Sequence, residues 1–364
     1  MKEVLRRAGQ RLMVGFEGHA PSPDLRRIVR DYGVGGVILF ARNVEAPEQV
    51  GELVREVQSI ARDAGHEWPL LVAVDQEGGR VARLKEPWTV WPPAEVLGRA
   101  DDVVLARAMG AALAGELRSC GIRLDFAPVV DVLTNPRNTV IGDRALSSDP
   151  EVVSRLASSF VQGLQGGDVA ACAKHFPGHG DTELDSHFAL PVADHSLSRL
   201  EDLEFRPFRA AIEAGVAATM MGHVLLCEVD DRLPASLSPA VTALLRDGLK
   251  YGGLVVCDDL EMKAVSAGFP PGQAAALAAK AGSDLILVCK EPDAQVEALE
   301  GIVRAAEASE ISWTAMDLAL ERIRRLKERF VLPYQDPDPK EARRAAGTPE
   351  SWALSRGIAA RGGA

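Results

Sequence analysis

The segment from Lys174 to His187 carries three of the chain's seven histidines, His175, His179 and His187, together with Lys174, Asp181, Glu183 and Asp185. Pro177, Gly178 and Gly180 keep it from being helical, so it reads as a loop. Within it, Asp185-Ser186-His187 sets a carboxylate and an imidazole where they can turn toward each other. A carboxylate bonded to one ring nitrogen fixes the tautomer and raises the basicity of the other, which suits acid–base chemistry. The same side chains, His175, His179, Asp181, Asp185 and His187, are of metal-ligand type. Against a metal, neither HExxH nor HxH occurs, and Lys174 would set a cation beside the ion. A surface loop with incidental histidines is the third reading. Further along, Asp258 and Asp259 follow the apolar run Leu254–Cys257. A carboxylate there can attack carbon or stabilise an oxocarbenium-like centre. Asp259 also fits as the cap of a following helix.

Such groups need a rigid frame. Short, nearly continuous apolar runs predict strands at Leu12–Phe16, Gly35–Phe40, Leu70–Val74, Leu124–Pro128, Val169–Ala173, Ala217–Met221, Gly253–Cys257 and Asp284–Cys289, each buried on both faces of a parallel sheet. Helical spacing predicts helices over Pro47–Ala64, Val103–Cys120, Glu151–Leu164, Leu197–Ala214 and Gly272–Ala281, with Pro47 and Ser198 at expected starts. Eight strands alternating with helices predict an α/β fold, a single (β/α)8 barrel over residues 1–332. No GxGxxG follows the first strand, which removes the usual reason for an open dinucleotide-binding sheet, and no cofactor is expected. Residues 333–364, rich in Pro, Gly, Arg and Ala, read as a short tail that wraps or frays, not an independent domain.

In such a barrel the loops after the strands build the site. The third strand ends in Asp75, Glu77, Arg80 and Arg83, the fourth in Asp131, Arg137, Asp143 and Arg144, the fifth in the histidine loop, the sixth in His223 and the seventh in Asp258. Any one of these could be a cap or a loop salt bridge. Their joint placement on one rim predicts a polar ligand.

Lys and Arg total 41 against 52 Asp and Glu, a net charge of −11. That repels phosphate backbones, so no nucleic-acid partner is expected. The cysteines Cys120, Cys172, Cys227, Cys257 and Cys289 form no CxxC pair and read as reduced core thiols in a reducing compartment. The amino-terminal stretch lacks a signal-peptide apolar run, and nothing approaches the roughly 20 apolar residues of a membrane span. A cytoplasmic protein with no membrane partner is expected, and a monomer.

KHFPGHGDTELDSH, AVDQEGGRVARL, VIGDR and CDDLEM resemble the signature segments of family 3 glycoside hydrolases. More closely, they are similar to the NagZ-type β-N-acetylglucosaminidases of bacterial cell-wall recycling. The resemblance runs in order from about Leu12 to Phe330. It implies the barrel fold and a retaining exo-β-N-acetylglucosaminidase acting on muropeptides or short chitin-type glycans. It also implies Asp258 as nucleophile, His187 as general acid/base and Asp185 as its dyad partner. Asp75, Arg83, Arg144, Lys174 and His175 would hold the terminal N-acetylglucosamine, with no metal. Cys257 departs from the Ser or Thr that commonly precedes the nucleophile. The second α/β domain of larger members is not expected here, although SWALSRGIAARGGA loosely resembles its start. A histidine acid/base carries no negative charge to repel an anionic acceptor, which leaves phosphorolysis open. The rival readings are a β-glucosidase or an N-acetylglucosaminide phosphorylase of the same family, and a sugar-binding barrel without catalysis.

Overall fold

The computed structural model describes residues 2–182 and 190–363. Its frame is a closed barrel of eight parallel strands: β1 (Leu12–Val14), β2 (Gly36–Leu39), β3 (Leu71–Val74), β4 (Leu124–Asp125), β5 (Ala170–Phe176), β6 (Ala218–Met221), β7 (Leu254–Cys257) and β8 (Leu285–Val288). β1 pairs with both β2 and β8 and so closes the ring. All eight predicted strands are present.

The continuous apolar runs follow from two buried faces. Met13, Ile38, Leu71, Ala73, Leu124, Cys172, Met220, Val256 and Leu287 pack together inside the barrel. Their neighbours Val14, Val37, Val72, Val74, Ala171, Val255 and Ile286 pack outward under the helices. Helix Trp313–Phe330 adds Ile323, Leu326 and Phe330 to the inner cluster. Its Arg322 and Lys327 bind Asp284 and Gln10, which precede β8 and β1. That helix therefore closes the amino-terminal end of the barrel and leaves the carboxyl end open.

Helix starts carry the expected chemistry. Asp102 caps Val103–Ser119, and Asp149 caps Pro150–Gly166, whose first residue is proline. The predicted helix Leu197–Ala214 is two helices, Leu197–Asp202 and Phe205–Glu213, and its cap is Ser196 rather than Ser198. Leu203 leaves helical geometry at φ −127°, ψ −71°. Pro207, without an amide hydrogen, sits in the first turn of the second helix, where none is needed.

The carboxyl-terminal segment wraps rather than frays. It forms helices Pro339–Ala345 and Pro349–Gly362, capped by Asp338 and Thr348. The Gly347 amide donates to Glu116 Oε1 at 2.8 Å, Ser355 Oγ to Val90 O at 2.7 Å and Arg99 Nε to Gly362 O at 2.7 Å. Cys120, Cys172, Cys257 and Cys289 are buried free thiols. No described helix is long and apolar enough to cross a membrane.

Candidate active site

Each strand end delivers its polar residue for a local reason. Asp75 follows β3 directly, and a hairpin pairing Gln76–Gly78 with Val81–Ala82 brings Glu77 and Arg83 back beside it. Gln76 locks that hairpin by accepting from the Arg83 and Leu84 amides and donating to Leu84 O. Arg144 ends the short turn Gly142–Arg144 in the loop after β4. Lys174 and His175 lie within β5, not in the loop predicted for them, because that strand runs on to Phe176.

These groups meet. Lys174 Nζ lies 2.9 Å from Asp75 Oδ1 and 2.7 Å from Glu77 Oε1. Arg144 engages both Glu77 oxygens at 2.8 Å in a bidentate pair. Arg83 reaches Asp75 Oδ2 at 3.2 Å. Burial penalises the Asp75 and Glu77 carboxylates, but Lys174 and Arg83 outweigh it at Asp75 and Arg144 and Lys174 at Glu77, so both titrate below the usual range. Burial likewise opposes the Lys174 charge, and Asp75 and Glu77 raise its pKa nonetheless. The cluster stays charged across ordinary pH. Asp125, at the end of β4, differs. Burial raises its carboxyl well above the usual value despite the Gln76 amide and Lys174.

His175 closes the group. Its Nδ1 stands 2.8 Å from Asp131 Oδ2, and Arg144 Nη2 lies 3.5 Å from its Nε2. Asp131 also accepts from the His175 amide at 3.3 Å and the His179 amide at 2.7 Å. His179 turns away to Thr182 Oγ1 at 2.6 Å, and burial lowers its pKa to about 4, so it is neutral at physiological pH. Glu77 and Asp131 stood among the rim residues in the sequence without a site role, and the structure makes them the hubs. Their only signal was position just past a buried strand.

Asp258 follows β7 and is half-buried. Its amide donates to Met221 O at 3.2 Å, and its Oδ1 accepts from the Asp259 amide at 2.8 Å. Burial, and secondarily Glu261, raise the Asp259 carboxyl to about 7. Asp258 and Asp75 each follow a parallel strand of the barrel directly, so both stand at its carboxyl-terminal mouth, and both add to burial and Asp259 in raising the Cys289 thiol. Asp185 and His187 lie outside the described residues. On the chain before them, Asp181 accepts from Thr134 Oγ1 at 2.6 Å and pairs with His195 at 2.6 Å and Arg199 at 3.1 Å.

A parallel eight-fold barrel with carboxylates, guanidinium groups, a lysine and an imidazole gathered at its carboxyl mouth is the frame of a barrel enzyme built to hold a polar ligand. Residues 4–326 match the glycosyl hydrolase family 3 N-terminal domain, and the chain belongs to this family of glycoside hydrolases. A β-hexosaminidase of Methylobacillus flagellatus is 37% identical over 327 residues, 86% of this chain and 89% of that protein. The solved structure of a family 3 β-N-acetylglucosaminidase from a Paenibacillus species superposes with a TM-score of 0.92 at 41% identity, covering 98% of this chain and 68% of that one. NagZ from Neisseria gonorrhoeae, solved with N-trifluoroacetyl-D-glucosamine, superposes with a TM-score of 0.79 at 32% identity, covering 97% of this chain and 98% of that one.

Proposed function

We infer that the protein is a retaining exo-β-N-acetylglucosaminidase that removes terminal N-acetylglucosamine. The observation that carries this reading is the convergence of Asp75, Arg83, Arg144, Lys174 and His175 on the mouth that Asp258 shares. The barrel that holds them is similar over nearly its whole length to enzymes of that activity. In this reading Arg83, Arg144, Lys174 and His175 donate to sugar hydroxyls and the acetamido oxygen, and Asp75 accepts from a hydroxyl. Asp258 attacks the anomeric carbon and forms a glycosyl ester while the aglycone oxygen leaves with a proton from His187. Water, deprotonated by His187, then opens the ester and restores Asp258. Asp185 holds the His187 ring in the tautomer that this cycle needs.

A histidine in this role works near neutrality without a carboxylate's depressed acid range. Muropeptides and short chitin-type glycans are the proposed substrates, and a cytoplasmic monomer is the proposed form. The test compares nitrophenyl N-acetyl-β-glucosaminide with nitrophenyl β-glucoside, each with and without phosphate, following product configuration by NMR. Turnover of the aminosugar alone, indifferent to phosphate and releasing the β-anomer first, is expected. Release of the α-anomer of the free sugar contradicts the reading, and formation of a sugar 1-phosphate replaces it with phosphorolysis.

A further inference from the structure

His223 stands two residues past β6 and is 1% exposed. Its Nε2 lies 2.9 Å from the main-chain oxygen of Asp259. A carbonyl oxygen only accepts, so Nε2 carries the hydrogen. Nδ1 lies 2.7 Å from Ser236 Oγ and, in the neutral ring, accepts from that hydroxyl. Ser236 is fully buried in the turn Ala235–Leu237. That turn is tied to the same loop, Ser236 N donating to Gly222 O at 3.2 Å and Ala235 N to Val224 O at 2.8 Å.

Residue 259 is gripped from the other side as well. Its Oδ1 accepts from the Cys289 and Glu261 amides, each at 3.2 Å. Its own amide donates to Asp258 Oδ1 at 2.8 Å. Where residue 259 sits therefore decides which way the Asp258 carboxylate turns. Asp258 Oδ2 accepts no hydrogen bond among the described residues.

We propose that His223, oriented by Ser236, is the positioning residue for the nucleophilic carboxylate. It fixes the Asp259 main chain so that one Asp258 oxygen is held by an amide and the other is left to attack. The proposal rests on Asp258 being the nucleophile. An apolar side chain would fill the same space but leave the Asp259 oxygen and the Ser236 hydroxyl without this partner, at a cost borne by local geometry. A reacting oxygen displaced by a fraction of an ångström loses much of its rate while the sugar, held by groups on β3 to β5, still binds.

The experiment measures kcat and KM of His223→Leu, His223→Gln, Ser236→Ala and Asp258→Asn on nitrophenyl and dinitrophenyl N-acetyl-β-glucosaminides. For His223→Leu, kcat is expected to fall about 30- to 300-fold with both leaving groups while KM changes less than about threefold. His223→Gln, whose amide reaches the Nε2 position, should recover at least about tenfold of that loss, and Ser236→Ala should lose about three- to tenfold in kcat. The acid and base limbs of the pH profile should not move. Wild-type kcat in His223→Leu, or a loss that vanishes with dinitrophenolate, overturns the proposal; the latter would make His223 a proton donor. If His223→Leu fails to fold, Ser236→Ala decides, since unchanged kcat there overturns the proposal equally. Full turnover by Asp258→Asn would instead overturn the nucleophile assignment, whereas an inactive Asp258→Asn beside a fully active His223→Leu removes only the role of His223.

Discussion

Lys174 and Glu77 meet at 2.7 Å with their side chains 3% and 4% exposed, an ion pair buried under the mouth of the barrel. Neither charge would be tolerated there alone. Arg144 also pairs with Glu77, and Asp75 with Lys174, so the four side chains form one network. In the proposed reading, this network presents its donors and acceptors to the sugar.

Glu77→Gln removes the hub and leaves two buried cations short of a partner. The expected loss is about 3–5 kcal/mol of stability, read as a lower denaturation midpoint. Both carboxylates have folded pKa values below their unfolded ones. Their contribution is thus full above about pH 4, the unfolded range, and is lost as pH falls toward the depressed folded values. Denaturation midpoints measured from pH 5 down to 3 should fall more steeply for the wild type than for Glu77→Gln.

Asp131→Asn tests the support of His175. The ring loses its ionised acceptor, and the His179 amide loses a strong one. kcat/KM for the aminosugar should fall about 10- to 100-fold, as expected for a charge-assisted hydrogen bond. Steady-state kinetics on a nitrophenyl aminosugar measure it, and an unchanged ratio would leave Asp131 with structure alone.

At the other end of the barrel, Lys327 is buried with one amide oxygen, Gln10 Oε1, at 3.2 Å, and burial lowers its pKa to about 7. Its folded pKa lies below the unfolded value, so the unfolded chain binds more protons between those two values. Stability from this site therefore rises as pH climbs from about 7 toward 10. Lys327→Met should stabilise the protein at pH 6.5 by about 2–4 kcal/mol, with the gain shrinking toward pH 10. Thermal melts at the two pH values check both sign and trend.

Gly347 joins the two carboxyl-terminal helices at φ +61°, and a Cβ there would meet Pro87 O at 2.0 Å. Gly347→Ala is expected to lower stability by about 2 kcal/mol or more. Urea denaturation measures it. Activity per folded molecule should change far less than stability, since the wrap meets the helices Pro47–Asp63, Ala94–Ala100 and Val103–Ser119 and the residues Pro87 and Val90, none of them a proposed site residue.

The barrel was legible because two-sided burial writes each strand as an apolar run, and the residue after each run falls on the mouth. Asp75 and Asp258 were found that way. The network was not legible. No pattern in AVDQEGGR tells that Glu77 turns inward to Lys174 while Arg80 turns outward to Asp143. Asp131 belongs to His175 only through the fold, 44 residues apart in sequence. His175 itself seemed to be in a loop, because the glycines that follow it masked the extension of β5 to Phe176. The break in Leu197–Ala214 and the two helices of the wrapping terminus escaped for a related reason, since helical spacing continues across Leu203 and Pro- and Gly-rich composition resembles an irregular tail.

Proposed as the nucleophile, Asp258 forms the bond to the sugar in this mechanism. Incubation with a 2-acetamido-2-deoxy-5-fluoro glycosyl donor, which slows the second step, followed by proteolysis and mass mapping, tests it most directly. A peptide containing Asp258 that carries one aminosugar, labelled on that side chain, is the predicted result. Label on another residue, or turnover of the donor with no covalent species and inverted product, would contradict it.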